Sequence, residues 1–347
     1  MSGSTTPNPH LPVRPDWLAL HEEPILEPDL PIIDPHHHLW DHPGNRYLLP
    51  DLLADLATGH NVVATVYEEC RSFYRTEGDP LMRPVGEVEF AAGIGAACEG
   101  GRHGPWRVCA GIVGYADLRA GACVRAVLEA EIAAGQGRFR GVRNTSAWHA
   151  DPAARGSSIL PPRGLLADRG FREGFAQLAP LGLSFDAWMY HTQLDELADL
   201  AAAFPETTIV LNHVGGAIGI GPYAGRRDEV FAAWSASMHA LARHPNIHVK
   251  VGGLGMRLFG FRVHEGALPP SSERLAEAWR PYVETCVAAF GPGRCMFESN
   301  FPVDKGTCGY AALWNAFKRI TAGWPAADRT ALFSGTAGRV YRLERSG

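Results

Sequence analysis

Three consecutive histidines, His36, His37 and His38, follow directly on the short run Ile32-Ile33-Asp34-Pro35. In an extended strand side chains alternate, so His36 and His38 share one face and His37 takes the other. Two neutral imidazoles on one face can hold one divalent ion from the same side. A surface histidine tract is the alternative, but the apolar flank argues against it. Further residues could join such a site. His213 ends the run Ile209-Val210-Leu211-Asn212 just before Gly215-Gly216, and His191 follows Ala187-Trp188-Met189-Tyr190. Arg143 alternates with Phe139 and Gly141, so it can face inward, where it needs an anionic partner: a substrate carboxylate or an internal Glu. Glu68 and Glu69 are adjacent, so only one of them can do the same. Glu298 lies in the apolar run Met296-Phe297-Glu298, where a carboxylate is costly unless it is paired or coordinates a metal. Met296, Glu298 and Asn300 share a face, with Asp304 on the loop beyond. Tyr74, Tyr115 and Trp148 lie near the ends of predicted strands and are candidates to line a pocket, with Tyr74 and Trp148 taken as substrate-binding.

Short apolar segments must position these groups. Candidate strands are Pro31–His36, Asn61–Tyr67, Arg107–Val113, Phe139–Asn144, Leu183–Trp188, Thr208–Asn212, Asn246–Val251 and Arg294–Ser299. Helical patterns lie between them, among them Cys123–Ala134, Phe171–Leu181, Leu194–Phe204, Glu229–Arg243, Glu273–Phe290 and Ala311–Ala322. Continuous apolar strands alternating with helices argue for parallel strands buried on both faces. Eight such units predict one closed parallel β/α (TIM) barrel over residues 31–347, preceded by an irregular arm at 1–30 with prolines at 7, 9, 12, 15, 24 and 28. An open doubly wound sheet would begin with a Gly-rich phosphate loop, and histidines stand there instead. In a barrel, catalytic groups belong at the C-terminal ends of the strands, which is where His36, His38, Glu68, Arg143, His191, His213 and Glu298 fall.

The chain has 347 residues, 46 % of them hydrophobic and 20 % charged, with a net charge of −5. That balance builds a sizeable core. Without a dense Lys/Arg block it argues against nucleic acid or an anionic membrane as partner. The seven cysteines never form C-x-x-C and read as reduced thiols of a cytosolic protein. No secretory h-region and no membrane-length apolar run occurs. A soluble, cytoplasmic enzyme acting on a small molecule is expected, with self-association left open.

With these residues in place, the chain resembles the amidohydrolase superfamily, in particular its amidohydrolase-2 branch. That branch holds sugar-lactone and pyrone-dicarboxylate lactonases and decarboxylases of the aminocarboxymuconate-semialdehyde type. The carriers are D-x-H-x-H at Asp34, His36 and His38, His213 with the glycine pair after it, and FESNFPVDK at 297–305. The resemblance runs from about residue 30 to the end. It implies a metal-assisted hydrolase or decarboxylase on an eight-stranded barrel, closest to the lactonase-like members. Two departures matter. The family's strand-eight Asp, which binds the metal or takes a proton from water, is matched by Asn300, which cannot act as a base. Strand four has no lysine to be carbamylated, so one metal is expected rather than two. Some lactonase relatives work without metal.

The reading is therefore a hydrolase opening a lactone or related activated carbonyl of a small polar or carboxylated substrate. One divalent ion, expected to be zinc, is held by His36, His38 and either His191 or His213, and lowers the pKa of its water toward about 7. Arg143 holds a substrate anion. Glu298 or Asp304 replaces the missing base, or the metal hydroxide attacks unaided. Glu298 lies roughly 6.6 Å below Asn300 along the strand, so it is expected to meet Arg143 or a histidine inside the barrel. A non-oxidative decarboxylase and a ligand-binding barrel without catalysis are the alternatives.

Overall fold

Eight short apolar segments pair side by side in chain order: β1 (Ile32–His37), β2 (Val62–Glu68), β3 (Arg107–Gly114), β4 (Phe139–Thr145), β5 (Ser184–Trp188), β6 (Ile209–Leu211), β7 (Ile247–Val251) and β8 (Cys295–Phe297). Every pairing is parallel. The computed structural model describes residues 10–157 and 159–343; residues 1–9 of the Pro-rich arm, Ser158 and residues 344–347 lie outside the described residues. The helices α1 (Leu49–Leu56), α2 (Val85–Cys98), α3 (Val124–Ala134), α4 (Arg169–Phe175), α5 (Leu194–Ala203), α6 (Arg227–Leu241), α7 (Ser272–Phe290) and α8 (Tyr310–Ile320) fall between and after the strands. This is the β/α barrel that the strand–helix rhythm predicts. None of these helices, nor any other among the described residues, is long and apolar enough to cross a membrane, and all seven cysteines are free thiols.

α4 and β8 end two or more residues earlier than predicted. α4 stops at Phe175 and the chain resumes as one tight turn at Ala179–Leu181, because Pro180 brings no N–H and Gly182 takes φ +66°. β8 ends at Phe297 because the chain beyond it bends across to β1. There the Ser299 N–H donates to Asp34 Oδ1 (3.0 Å), and Asn300 N–H to the His36 carbonyl (3.0 Å). His38 N–H donates to the Phe301 carbonyl (2.8 Å), so the barrel seam closes at its C-terminal end.

β1 carries the decisive irregularity. Asp34 pairs with Thr65 and His37 with Tyr67, leaving Pro35 and His36 opposite one position of β2. This bulge reverses the alternation between Asp34 and His36. Asp34 turns outward, accepting from Tyr310 Oη on α8 (3.0 Å). His37 also turns outward, to Thr65 Oγ1 (2.9 Å). His36 and His38 turn into the barrel.

The barrel interior is layered. At the N-terminal end Ala64, Val66, Ala110, Val113, Val210 and Met296 pack with Tyr341 and Leu343 from the C-terminal segment, which plugs that end. Arg107 and Arg140 anchor the plug through the Leu343 and Tyr341 carbonyls (2.8 and 2.5 Å). Above it lies a charged layer. Lys250 Nζ, from β7, stands 2.7 Å from Asp186 Oδ2 and 2.8 Å from Glu68 Oε2, all three fully buried. Tyr341 Oη donates to the same Asp186 oxygen (2.8 Å).

Removing one partner of a buried ion pair strands the others without compensation. Lys250→Met is expected to destabilise the fold by about 3–5 kcal/mol in urea unfolding. A loss below about 1 kcal/mol, the value of an exposed pair, would contradict a charged layer.

Candidate active site

The third layer lies at the C-terminal ends of the strands. β1 delivers His36 and His38 through its bulge. His213 arrives through a turn in which His213, Val214, Gly215 and Gly216 all have positive φ (53°, 47°, 69° and 57°). A β-branched residue in that region is strained by about 1–3 kcal/mol. The turn is clamped from outside by Trp234 Nε1, which donates to the Val214 carbonyl (2.7 Å). It returns His213 to the barrel, where its N–H lies 3.2 Å from Glu298 Oε1. Three glycines after β7 leave the space: a Cβ on Gly253 would stand 2.4 Å from His213 Nδ1, and one on Gly252 2.4 Å from Glu298 Cγ. One on Gly255 would press on Asp304 at 2.8 Å.

Glu298 is the hub. Its Oε1 lies 2.7 Å from His213 Nδ1. Its Oε2 lies 2.9 Å from His36 Nδ1 without the alignment of a hydrogen bond, and has no other partner. Lys250 Nζ is 3.3 Å from the same His36 nitrogen. His38 Nδ1 faces the Glu68 carbonyl (2.9 Å), so it carries the proton and Nε2 carries the lone pair. His36 Nε2 stands 3.3 Å from that Nε2. The contact is a hydrogen bond only if His36 is protonated at Nε2; with the proton at Nδ1, facing Glu298, two lone pairs meet.

Burial pushes the pKa values of His36, His38 and His213 well below the usual histidine value, so the rings are neutral. Burial raises Glu298 to about 8, against the pull of Lys250. It raises Glu68 to about 8 as well, with Asp186 adding repulsion. Arg143 stays charged: burial works against it, but Glu69 and Glu68 more than offset that. Both of the adjacent glutamates, and not one as expected, are buried and meet Arg143, so Lys250 and Arg143 face Glu68, Glu69, Asp186 and Glu298. Two protons or one divalent cation make the cluster neutral.

The residues fit an ion. His36, His213 and Glu298 offer ligand atoms all within 4.8 Å of one another. Two nitrogens at 2.0–2.1 Å from a tetrahedral zinc are about 3.3–3.4 Å apart, the spacing of His36 Nε2 and His38 Nε2. Glu298 Oε2 is a buried oxygen in want of a partner. Arg143 Nη1 is 3.3 Å from His36 Nε2 as well, so a guanidinium competes for that lone pair.

His38 and His213, with Arg143, Glu69, Trp188 and Asn300, line a cavity of about 390 Å³. The other candidates divide around it. Arg143 is taken by an internal partner, Nε donating to Glu69 Oε1 (2.8 Å), while still facing the cavity. The structure does not bring His191 to the cluster. Its Nδ1 accepts from Ile218 N–H (3.3 Å) and its ring stands edge-on to Tyr223, which braces the loop after His213. Asp304 is fully buried below the mouth, accepting from Gly255 N–H (2.8 Å) and from Asn300 Nδ2 (2.9 Å). That leaves it no path to a substrate. Trp148 lines a neighbouring chamber, and Tyr74 keeps its hydroxyl buried without a hydrogen-bond partner. Sequence reasoning missed Lys250 and Asp186. Both were visible as single charges inside apolar runs, Val249-Lys250-Val251 and Phe185-Asp186-Ala187, the same signal that marked Glu298.

A parallel eight-stranded barrel with buried histidines and carboxylates at the C-terminal ends of its strands has the layout of a barrel enzyme. The chain belongs to the amidohydrolase family (Amidohydro_2), which matches residues 33–343, and it is an enzyme of that family. It is 35 % identical to the uncharacterized protein y4mH of Sinorhizobium fredii, over 91 % of this chain and 99 % of that one. It is 27 % identical to an L-fucono-1,5-lactonase of Burkholderia multivorans, over 90 % of this chain and 96 % of that one. An amidohydrolase of Burkholderia multivorans solved with bound zinc is 25 % identical with a TM-score of 0.65, covering 90 % of this chain and 99 % of that one.

Glu298→Gln keeps the shape of the side chain and removes the charge that holds two histidines. Zinc affinity, measured by competition with a chelator, is expected to fall about 10–100-fold. In the wild-type protein Glu298 must lose its proton before it can face a cation. Affinity is therefore expected to fall by up to about tenfold per pH unit below 8; a flat profile between pH 6 and about 8 would exclude Glu298 from the site.

Proposed function

We propose that this amidohydrolase opens a lactone, or a similarly activated cyclic ester, of a small polar substrate. The observation that carries the reading is Glu298 between His36 and His213, behind the cavity that His213 and His38 line. The likeness to L-fucono-1,5-lactonase over nearly the full chain supports it. His36 and His38, whose Nε2 atoms stand 3.3 Å apart, are the residues to hold one divalent ion, with Glu298 behind His36 on its Nδ1 side. Bound there, such an ion polarises a carbonyl and acidifies water. His213 faces the cavity as a neutral imidazole, with Nδ1 held against Glu298 and Nε2 left to accept the proton of the attacking water. Glu298 then stabilises the imidazolium that forms. The ring C–O bond breaks, and the leaving alkoxide takes that proton back, so water is added across one bond and nothing is oxidised. Asn300 has no part in the proton path; it ties the loop to Asp304.

A specific observation favours a second, metal-free reading of the same reaction. Arg143 Nη1 already stands 3.3 Å from His36 Nε2, where a guanidinium could polarise the carbonyl in place of an ion.

The test is acid release from L-fucono-1,5-lactone and related aldonolactones, set against CO2 release from aromatic carboxylates, with zinc-loaded and chelated protein. Lactone opening lost on chelation and restored by zinc is the expected result. Activity that survives chelation supports the Arg143 reading, and CO2 release without lactone opening overturns both. Glu298→Gln is expected to lower kcat about 10²–10⁴-fold. Asp304→Asn should cost stability, with kcat within about tenfold of wild type, a change of about 1.4 kcal/mol or less in the barrier.

A further inference from the structure

Two cavities meet at the mouth of the barrel. Arg71, Thr145 and Ile159 line both the cavity over His38 and His213 and a second chamber of about 530 Å³. The first, at about 390 Å³, is near the lower end of the volumes that small-molecule sites show, and accommodates a single ring on its own. The second is lined by Tyr115, Trp148, Leu160, Pro161 and Pro162 among others.

The charges of this second chamber are one-sided. Its one carboxylate, Asp117, is bound through both oxygens by Arg119 (2.9 and 2.8 Å). Arg71 and Arg163 form no salt bridge among the described residues. Each is laid instead over an aromatic ring, Arg71 over Tyr115 (5.3 Å to the centroid) and Arg163 over Trp148 (5.2 Å). Both contacts are within cation–π range and take up none of the guanidinium N–H groups, which can receive a carboxylate by two parallel hydrogen bonds. Arg71 is also held at φ +60°, a conformation that costs energy in a non-glycine residue and that collects at ligand clamps. Asp117 and Glu196 feel Arg71 and Arg163 at longer range, but no carboxylate among the described residues is within ion-pair distance of either guanidinium.

We infer that the second chamber is a subsite for a carboxylate carried by the substrate at a distance from the reacting carbonyl, held by Arg71 and Arg163. The inference rests on the lactonase reading for which end of the substrate reacts. It gives the substrate class as an elongated, carboxylated ring compound. Arg143, the residue nearest the cluster that could have taken this anion, is already held by Glu69.

The test needs no turnover. Binding of 4-phenylbutyrate and of its neutral amide, 4-phenylbutyramide, is measured by calorimetry at low salt on the wild-type protein and on Arg71→Met and Arg163→Met. The acid is expected to bind wild type about tenfold more tightly than the amide, a preference that shrinks as salt is added. Each variant should remove most of it. Equal binding of acid and amide to wild type overturns the inference, and so does a preference that survives both substitutions, because the carboxylate would then be held at the histidine cluster. If no lactone is ever hydrolysed, the proposed function fails while this difference in binding stands.

Discussion

A carboxylate inside a parallel barrel needs donors or a cation around it, because nothing in an apolar interior replaces its hydration. Glu298 is that carboxylate, and much of the upper barrel is arranged around it. The left-handed turn that returns His213, the bulge that turns His36 inward and the glycines at 252 and 253 all bring groups to its two oxygens or clear the room for them. Lys250, Asp186 and Glu68 form a charged floor beneath, and Tyr341 ties that floor to the plug at the far end. A single polar column thus runs from the closed end of the barrel to the cavity. Within it, the strain of Val214 is offset by the contacts that Glu298 and Trp234 make with the turn.

The barrel was legible because its signals are local and redundant. Eight apolar runs with Gly-rich breaks and helical spacing between them fix strand number and order, and the expected bounds differ by a residue or two in most strands. The histidines of β1 were legible from alternation, although the reason they share a face differs from simple alternation. The bulge puts Asp34 on the opposite side from His36, whereas a regular strand would align them, and register shifts of this kind depend on pairing with β2 that no local pattern encodes.

Other site features depended on long-range contacts. His191 ends a strand as His213 does, and spacing does not distinguish them; the difference is that His213 opens a run of four positive-φ residues that turns it toward Glu298, while His191 meets the Ile218 amide. Asp304 follows β8 closely enough to fold over the mouth, yet the Gly255 amide draws it underneath. Lys250 and Asp186 were readable in principle, since a charge between valines or beside phenylalanine inside a strand asks for a partner just as Glu298 does. In the proposed reaction Glu298, two residues earlier and deeper in the same barrel, takes the part that Asn300 cannot play.

On this reading one divalent ion sits at the histidine cluster behind the cavity, and lactone opening depends on it. Metal analysis of the purified protein, coupled to lactone hydrolysis before and after chelation, tests it most directly. One equivalent of zinc or a similar ion per chain is expected, with activity lost on its removal and recovered on its return. Full activity in demonstrably metal-free protein, or two equivalents per chain, would contradict it.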